Sequence, residues 1–559
     1  MDTAAKKDGI YIKGYEKTSY IRPVCLCLAA ALYALIFTGG AIWHTGPLSF
    51  GVLFSTIWIV MVLLSGKRKP ILLLMSVPAG ILFAVLRIFL NDAASGALLI
   101  GGGMAVIASL AFGTGMHKSH KTFLAALMAA GVWIRLCFIV VVPYYAMSND
   151  VGEFKNSYNV FHSGYIQFIN FTGGLIDGDV REFVEWYHPP YYHFAASFVL
   201  NLQKVLIPSR AENWEGIRAL TFLCSILTLY FSYAITGFLK MTKAGRKAAL
   251  ALMAFMPALI MLAGNLNNDS MGLMFTMASL CLILDWKETG RYAVLVSAAL
   301  TMGLSVGTKL SGAVAAPAVL VVLIAVSYQS FREKKVLKGI ISPLIYGTIS
   351  LPVGLWFFVR NYVCYGVPFT YILKPTSDYM YLGDIPFIQK LLPGDFATVE
   401  DSFFHNGLEG APDHSIPAIL CKTGVFNEAI MRDRLYTALT GFILFWLFAV
   451  LMVICIAAFI YAVSFAVKHD RSVARLALGV LAVFNIVMYL RMNCQFPYAC
   501  SMNIRYVLFA GITGIIAIGD LYGFIGSKSL TVKTVFKYFI CLFMLAVVAF
   551  YMASAVYFS

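Results

Sequence analysis

Of 559 residues, 60% belong to the hydrophobic set and only 12% are charged, against roughly 45–50% apolar and 25% charged in an ordinary soluble domain. That excludes a soluble globular enzyme and marks a polytopic membrane protein. Lys and Arg number 42 against 27 Asp and Glu, a net charge of +15, but the bases gather in short clusters between apolar segments and form no long run or face that could track a nucleic-acid backbone. No nucleic-acid partner is expected; the excess reads as positive-inside topology. The 11 Cys include no C-x-x-C pair, so neither a zinc nor a redox motif is visible. A bridge among Cys364, Cys421, Cys494 and Cys500, the cysteines expected in outer loops, stays open.

A bilayer core takes about 20 apolar residues per helix. Such segments recur near 23–43, 49–65, 70–90, 93–113 and 121–145. The basic groups Lys67-Arg68-Lys69 and Lys118 to Lys121 alternate with the uncharged or acidic turns His44 to Ser49 and Asn91-Asp92, so the N-terminus is predicted to be cytoplasmic and residues 146–187 to emerge outside. No cleavable signal is expected, because the first apolar segment is too long and runs straight into further spans. Further spans are predicted near 217–239, 247–264, 270–285, 291–307, 312–328, 339–359, 435–467, 473–490, 505–523 and 536–556. With these, the basic loops Lys240 to Lys247, Lys287 to Arg291, Arg332 to Lys338, Lys468 to Arg475 and Lys528 to Lys537 all fall on one face. Residues 188–207 are apolar enough to cross, yet a crossing there would put every later basic loop outside. They are therefore predicted to form a re-entrant or interfacial helix. The expected fold is an all-α polytopic transmembrane bundle of about fifteen spans with two structured outer loops, 146–216 and 360–434. Loops of that length are commonly functional or disordered, and their Trp, Tyr, Phe, His and Pro content argues for packed structure. The chain divides into accessory N-terminal helices (1–115), a catalytic membrane domain (116–525) and a C-terminal transmembrane helix (526–559).

Ionisable groups near the hydrocarbon are functional candidates by default, and they converge on the outer face. Ser148-Asn149-Asp150-Val151-Gly152-Glu153-Phe154 follows the span ending at Tyr145; a carboxylate at the mouth of a bundle is a candidate base, or a solvated loop acid. In Trp186-Tyr187-His188-Pro189-Pro190-Tyr191-Tyr192-His193, the paired prolines suit a first helical turn. There His188 could help free N–H groups hold an anion, or belong to an aromatic interfacial belt. Asn265-Leu266-Asn267-Asn268-Asp269-Ser270 is, alone, an Asn-rich helix cap. Thr308-Lys309, Arg360-Asn361 and Arg505-Tyr506 each put a cation at an outer helix end, where snorkelling is the plain alternative. Together, three isolated cations, two carboxylates and a His on one face suit an anionic headgroup presented from the bilayer beside a carboxylate base.

These residues resemble the GT-C superfamily of glycosyltransferases, closest to the bacterial protein-mannosyltransferase-like and aminoarabinose-transferase-like branch (glycosyltransferase family 39-like). Asp150 with Glu153-Phe154, His188-Pro189-Pro190-Tyr191-Tyr192, Asn268-Asp269, Thr308-Lys309, Arg360-Asn361 with Tyr365-Gly366-Val367-Pro368, and Arg505-Tyr506 stand in that family's order, over about residues 121–525. The family's first acid is often followed at once by Glu, which here comes three residues later, and position 191 is Tyr where Leu is usual. The resemblance implies an enzyme of the cell membrane that moves a sugar from a polyprenyl-phosphate donor to a lipid, glycan or protein acceptor on the extracytoplasmic side. Such chemistry needs cations or donors for the charge developing on the phosphate and a carboxylate for the acceptor's proton. The base is expected to be Asp150, with Glu153 the next candidate. Lys309, Arg360, Arg505 and His188 are candidates for the phosphate and Asp269 for a sugar hydroxyl or a cation; Tyr192, Asn268, Asn361 and Tyr506 complete the expected binding set. No metal-ligand motif stands out, and a divalent cation is compatible with the chemistry without being required. A polyprenyl-linked glycan polymerase or ligase is the nearest alternative. A secondary transporter is the more distant one, and predicts charges near helix midplanes and repeats.

Overall fold

The computed structural model of the chain describes residues 20–37, 46–67, 70–146, 149–152, 154, 161–210, 213–374, 380–393, 413–428, 435–465, 472–525 and 528–557. In chain order its main helices are α1 (Ile21–Phe37), α2 (Pro47–Leu64), α3 (Pro70–Phe89), α4 (Asp92–Gly113), α5 (His120–Val141), α6 (His162–Thr172) and α7 (Tyr191–Leu206). There follow α8 (Arg218–Phe238), α9 (Lys243–Phe255), α10 (Pro257–Met261), α11 (Asp269–Thr289), α12 (Tyr292–Val306), α13 (Ala316–Arg332) and α14 (Val336–Tyr365). The last are α15 (Ile416–Phe426), α16 (Leu435–Phe465), α17 (Val473–Gln495), α18 (Leu508–Ile525) and α19 (Leu530–Tyr557). Among the described residues the single β contact is an isolated bridge between Tyr381 and Tyr498, so the chain is all-α as expected.

Twelve of these helices are long and apolar enough to cross a membrane, fewer than the fifteen segments read from hydropathy. The difference has local causes. Helices α1 and α12 are shorter apolar helices, while the 247–264 segment is broken between α9 and α10 at Pro257. Proline supplies no N–H to the carbonyl four residues back. The buried Arg135 of α5 answers that loss: its guanidinium donates to the carbonyls of Met253 (3.3 Å) and Ala254 (2.7 Å), and also to Gly131 O and Ser225 Oγ. A mid-helix charge that a transporter would use is thus committed to a helix break.

Helix direction alternates through the bundle. At one end, Arg218 of α8 donates to the carbonyls of Ile139 (3.0 Å) and Val142 (2.5 Å) at the end of α5, and Asn268 before α11 donates to Thr308 O after α12. At the other end, Arg475 of α17 meets Asp520 of α18 and the carbonyl of Leu239 after α8. The contact of Arg218 decides the path of the long 143–217 connection, which returns to the end of the bundle it left. Within it, α7 lies alongside α6: His162 bonds His193, and Asn170 donates to Ser197 Oγ and Asn201 Oδ1. Its inward face is Tyr192, His193, Ala196, Ser197, Leu200 and Gln203. The clusters around Lys118, Lys240, Arg291, Lys335 and Lys533 all lie at the end opposite this connection. The cysteines are all free, so the outer bridge held open above does not form.

Candidate active site

Arg505 is the centre of the site. Asn503 Oδ1 accepts from the Arg505 backbone N–H (3.0 Å), opening a short 3-10 turn, Ile504–Val507, that leads into α18 and turns the guanidinium inward. Its Nη1 lies 2.6 Å from Asp150 Oδ2 and 3.6 Å from Asp269 Oδ2, and Nη2 donates to the Tyr506 hydroxyl (2.9 Å). Lys309 donates to the other oxygen of Asp269. Both cations also stand over the Tyr506 ring, Arg505 at 4.9 Å and Lys309 at 5.4 Å from its centroid, where the ring face attracts positive charge. Buried charges persist when paired, and here each carboxylate has its cation.

The elements explain the convergence. Asp269 opens α11, where a negative charge suits the helix dipole, and its N–H donates to Asn267 Oδ1 (3.2 Å). The bond from Asn268 to Thr308 O (3.2 Å) ties that start to the end of α12, which carries Lys309. Asp150 hangs on the loop after α5. Its carbonyl accepts from His162 N–H (3.4 Å), and Ser163 N–H donates to Val151 O (2.9 Å), so α6 fixes this loop. Beside it, Asn149 Oδ1 accepts from Asn265 Nδ2 (3.0 Å).

A further acid completes the cluster. Glu428 follows α15 and accepts from Asn503 Nδ2 (3.2 Å). Burial pushes its carboxyl up to about 7, with the Arg505 charge pulling against this and the Asp150 charge adding to it. Backbone strain marks the same region. Among the described residues the non-glycine positions with positive φ are Asp150 (56°), Glu185 (66°), Asn427 (56°), Lys240 and Lys334; the first three flank this site. Left-handed residues that carry side chains collect where surrounding structure over-determines them, commonly at functional sites.

His188 takes a different partner from the one its motif suggests. Its Nε2 lies 2.8 Å from Glu185 Oε2, and its ring stacks against His162 at 5.6 Å between centroids. His162, Glu185 and His188 each offer a ligand atom within 4.8 Å of the others. Tyr192 is fully buried, its ring edge-on to His162 and His193, and its hydroxyl has no hydrogen-bond partner among the described residues. Arg360 makes no ion pair with Asp150 or Asp269 among the described residues; it donates to Asn361 Oδ1 (2.9 Å) and to the carbonyl of Ile176 (2.6 Å), with its guanidinium over Tyr365. It thereby holds the 173–187 stretch against the end of α14. Glu153 lies outside the described residues. The structure thus joins Asp150, Asp269, Lys309, Arg505 and Tyr506, sets His188 and Tyr192 in an adjoining layer with His162, and gives Arg360 and Asn361 a loop to hold.

The sequence model of the family "Dolichyl-phosphate-mannose-protein mannosyltransferase" matches residues 195–377, roughly a third of the chain. That stretch contains Asn268, Asp269, Lys309, Arg360 and Asn361, and leaves out Asp150, His188 and Arg505. None of the curated proteins compared matches the chain. Among solved structures, the archaeal oligosaccharyltransferase AglB of Archaeoglobus fulgidus, in complex with an inhibitory peptide and a dolichol-phosphate, is similar with a TM-score of 0.42 and 13% identity. The likeness covers 78% of this chain and 55% of AglB, so the chain spans about half the length of that protein. It is too loose to carry a residue-by-residue correspondence.

Proposed function

We propose that this chain, a protein of the GT-C superfamily, transfers a sugar from a polyprenyl-phosphate donor to an acceptor on the extracytoplasmic side of the cell membrane. The observation that carries the reading is Arg505 lying between Asp150 and Asp269 beside Lys309, at the bundle end opposite the basic loops. Positive loops stay in the cytoplasm, so the opposite end faces out. The donor's tail stays among the lipids while its headgroup enters at the helix ends.

Cleaving the sugar–phosphate bond leaves negative charge on the phosphate, and the cations of Arg505 and Lys309 are already desolvated and oriented to receive it. The Nε of Arg505 is buried with no acceptor among the described residues, a donor left for the substrate. Asp150, with its side chain 34% exposed, is the member of the cluster an acceptor hydroxyl can reach, and it takes the proton as the new bond forms. Asp269 holds Lys309 in place. Glu428, whose carboxyl burial pushes up to about 7, lies beside Asp150 and Arg505 and changes the potential there as it gains or loses a proton. The matched family's name carries dolichyl-phosphate mannose as donor and protein as acceptor, which favours a polyprenyl-phosphate hexose and a protein hydroxyl over a glycan or lipid acceptor.

A panel of polyprenyl-phosphate monosaccharides given to the purified protein tests this directly. Free polyprenyl phosphate and a glycosylated acceptor are expected with one or a few sugars. Turnover only with an oligosaccharide on a polyprenyl pyrophosphate would make the protein a polymerase or ligase instead. Sidedness is tested separately in intact cells with an impermeant thiol reagent, against a background without the native cysteines. Glu182→Cys, on the 143–217 connection, is expected to react and Lys335→Cys, at the opposite end, to stay protected. The reverse pattern would put the site in the cytoplasm.

A further inference from the structure

Between α6 and α7 lies a second group of titratable side chains that the transfer step does not use. His162 is buried at the start of α6, Glu185 stands on the strained turn at φ 66°, and His188 closes that turn ahead of α7. Their ligand atoms lie within 4.8 Å of one another, with Glu185 Oε2 and His188 Nε2 only 2.8 Å apart. Two imidazoles and a carboxylate at such spacing form the donor set that binds a borderline divalent ion while keeping further positions open.

An independent observation concerns the layer behind. His162 Nδ1 lies 2.9 Å from Nε2 of His193, which is fully buried. With His162 Nδ1–H donating to His193, the lone pair of His162 is confined to Nε2. Metal-binding histidines are commonly oriented by such a bond at their second nitrogen. His193 Nδ1 has no partner among the described residues, so the neighbouring packing does not explain why a polar ring is buried there. The carbonyl of Asp150 accepts from the His162 N–H, which places the trio directly beside the acid cluster. Charge balance points the same way. Arg505 and Lys309 are offset by Asp150 and Asp269, so a phosphate donor would arrive at a cluster with no positive excess.

We propose that His162, Glu185 and His188 bind a divalent transition-metal ion of the zinc class, oriented by His193, beside the Asp150–Arg505 pair. The ion supplies positive charge next to the donor phosphate; that role rests on the transfer reading, while the binding itself does not. Arg360 contributes indirectly, since its bond to Ile176 O secures the stretch that carries Glu185 and His188.

The test is metal binding by the full-length protein in detergent, stripped with a chelator and titrated with Zn²⁺ or Co²⁺ alone. One equivalent is expected to bind, with Co²⁺ giving the visible absorption of a low-coordinate site. Glu185→Gln keeps the size and backbone preference of the wild-type residue and is expected to lose the ion, as is His162→Gln. His193→Phe should weaken binding by about 10- to 100-fold, the usual effect of removing an orienting partner. His120→Gln, at the far end of α5, should leave the stoichiometry unchanged. Absence of a stoichiometric ion in the wild type, or full retention by Glu185→Gln, would reduce the Glu185–His188 contact to an ion pair and overturn the proposal. Because metal content is read without turnover, a protein that binds the ion but fails every donor would refute the transfer reading and leave this one standing.

Discussion

Asp150→Asn is expected to lower turnover by about 10²- to 10⁴-fold, the range by which a positioned general base accelerates a reaction, while donor binding is kept. The amide retains the size of the carboxylate and a contact to Arg505 but cannot take the acceptor's proton. Glu428→Gln separates the two acids of the cluster. Burial holds the Glu428 carboxyl at about 7, so it is largely neutral below that pH and ionised above it. An ionised Glu428 adds negative potential beside Asp150 and competes with it for Arg505, which frees the Asp150 carboxylate to meet the acceptor hydroxyl. Wild-type activity should therefore rise with pH through about 7, and the Gln variant should stay flat at the low-pH level. The measurement is initial rate against pH for both variants. If Glu428→Gln lost as much as Asp150→Asn was expected to lose, and Asp150→Asn kept its rate, the base would be Glu428.

The second large effect is expected at Arg505. Arg505→Lys keeps a charge but loses the planar fork that reaches Asp150, Asp269 and the Tyr506 hydroxyl together, a change that is not conservative at such a site. Loss of charge-assisted bonds worth about 1.5–3 kcal/mol each predicts a 10- to 100-fold weaker use of the donor. Acceptor dependence should change far less. Arg360→Lys is expected to behave differently, because among the described residues Arg360 shares no partner with Arg505 and donates to the carbonyl of Ile176. The two effects should therefore add in the double variant, as for independent sites. Strong non-additivity would mean that both arginines close on the same phosphate, as their positions at corresponding helix ends suggest from sequence alone. Arg505→Met is the variant to avoid, since it leaves Asp150 without its cation and Asp269 with Lys309 alone, and removing one partner of a desolvated ion pair is destabilising.

Several residues of this cluster stand out in the sequence. Asp150, Asp269, Lys309, Arg505 and Tyr506 are polar residues at the ends of long apolar segments, where a charge is conspicuous because everything near it is hydrocarbon. Glu428 carried no such signal. It lies in a long connection rich in ordinary polar residues, and only the packing of α15 against the turn before α18, through Ile504 N–H donating to Thr423 Oγ1 (3.0 Å), brings it to Arg505. His162 was equally silent, since its meeting with Glu185 and His188 depends on how α6 lies along α7. Arg360 has a helix-end position like that of Arg505, but its guanidinium turns toward a loop carbonyl, Ile176 O.

Sequence by itself determined the membrane class, the helical segments and the parity that keeps 188–207 from crossing. Each of these follows from local hydropathy and from where charge can be solvated, and none of the three depends on which helix neighbours which. Tertiary structure alone decided which charges pair. An ion pair between Asp150 and Arg505 joins residues far apart in the chain, and its geometry comes from the turn at Asn503 and from α6, whose first N–H groups hold the Asp150 loop. Side-chain direction was likewise beyond the sequence. A guanidinium at a helix end can reach either of two neighbouring surfaces within its own length, and only the packed neighbours choose between them.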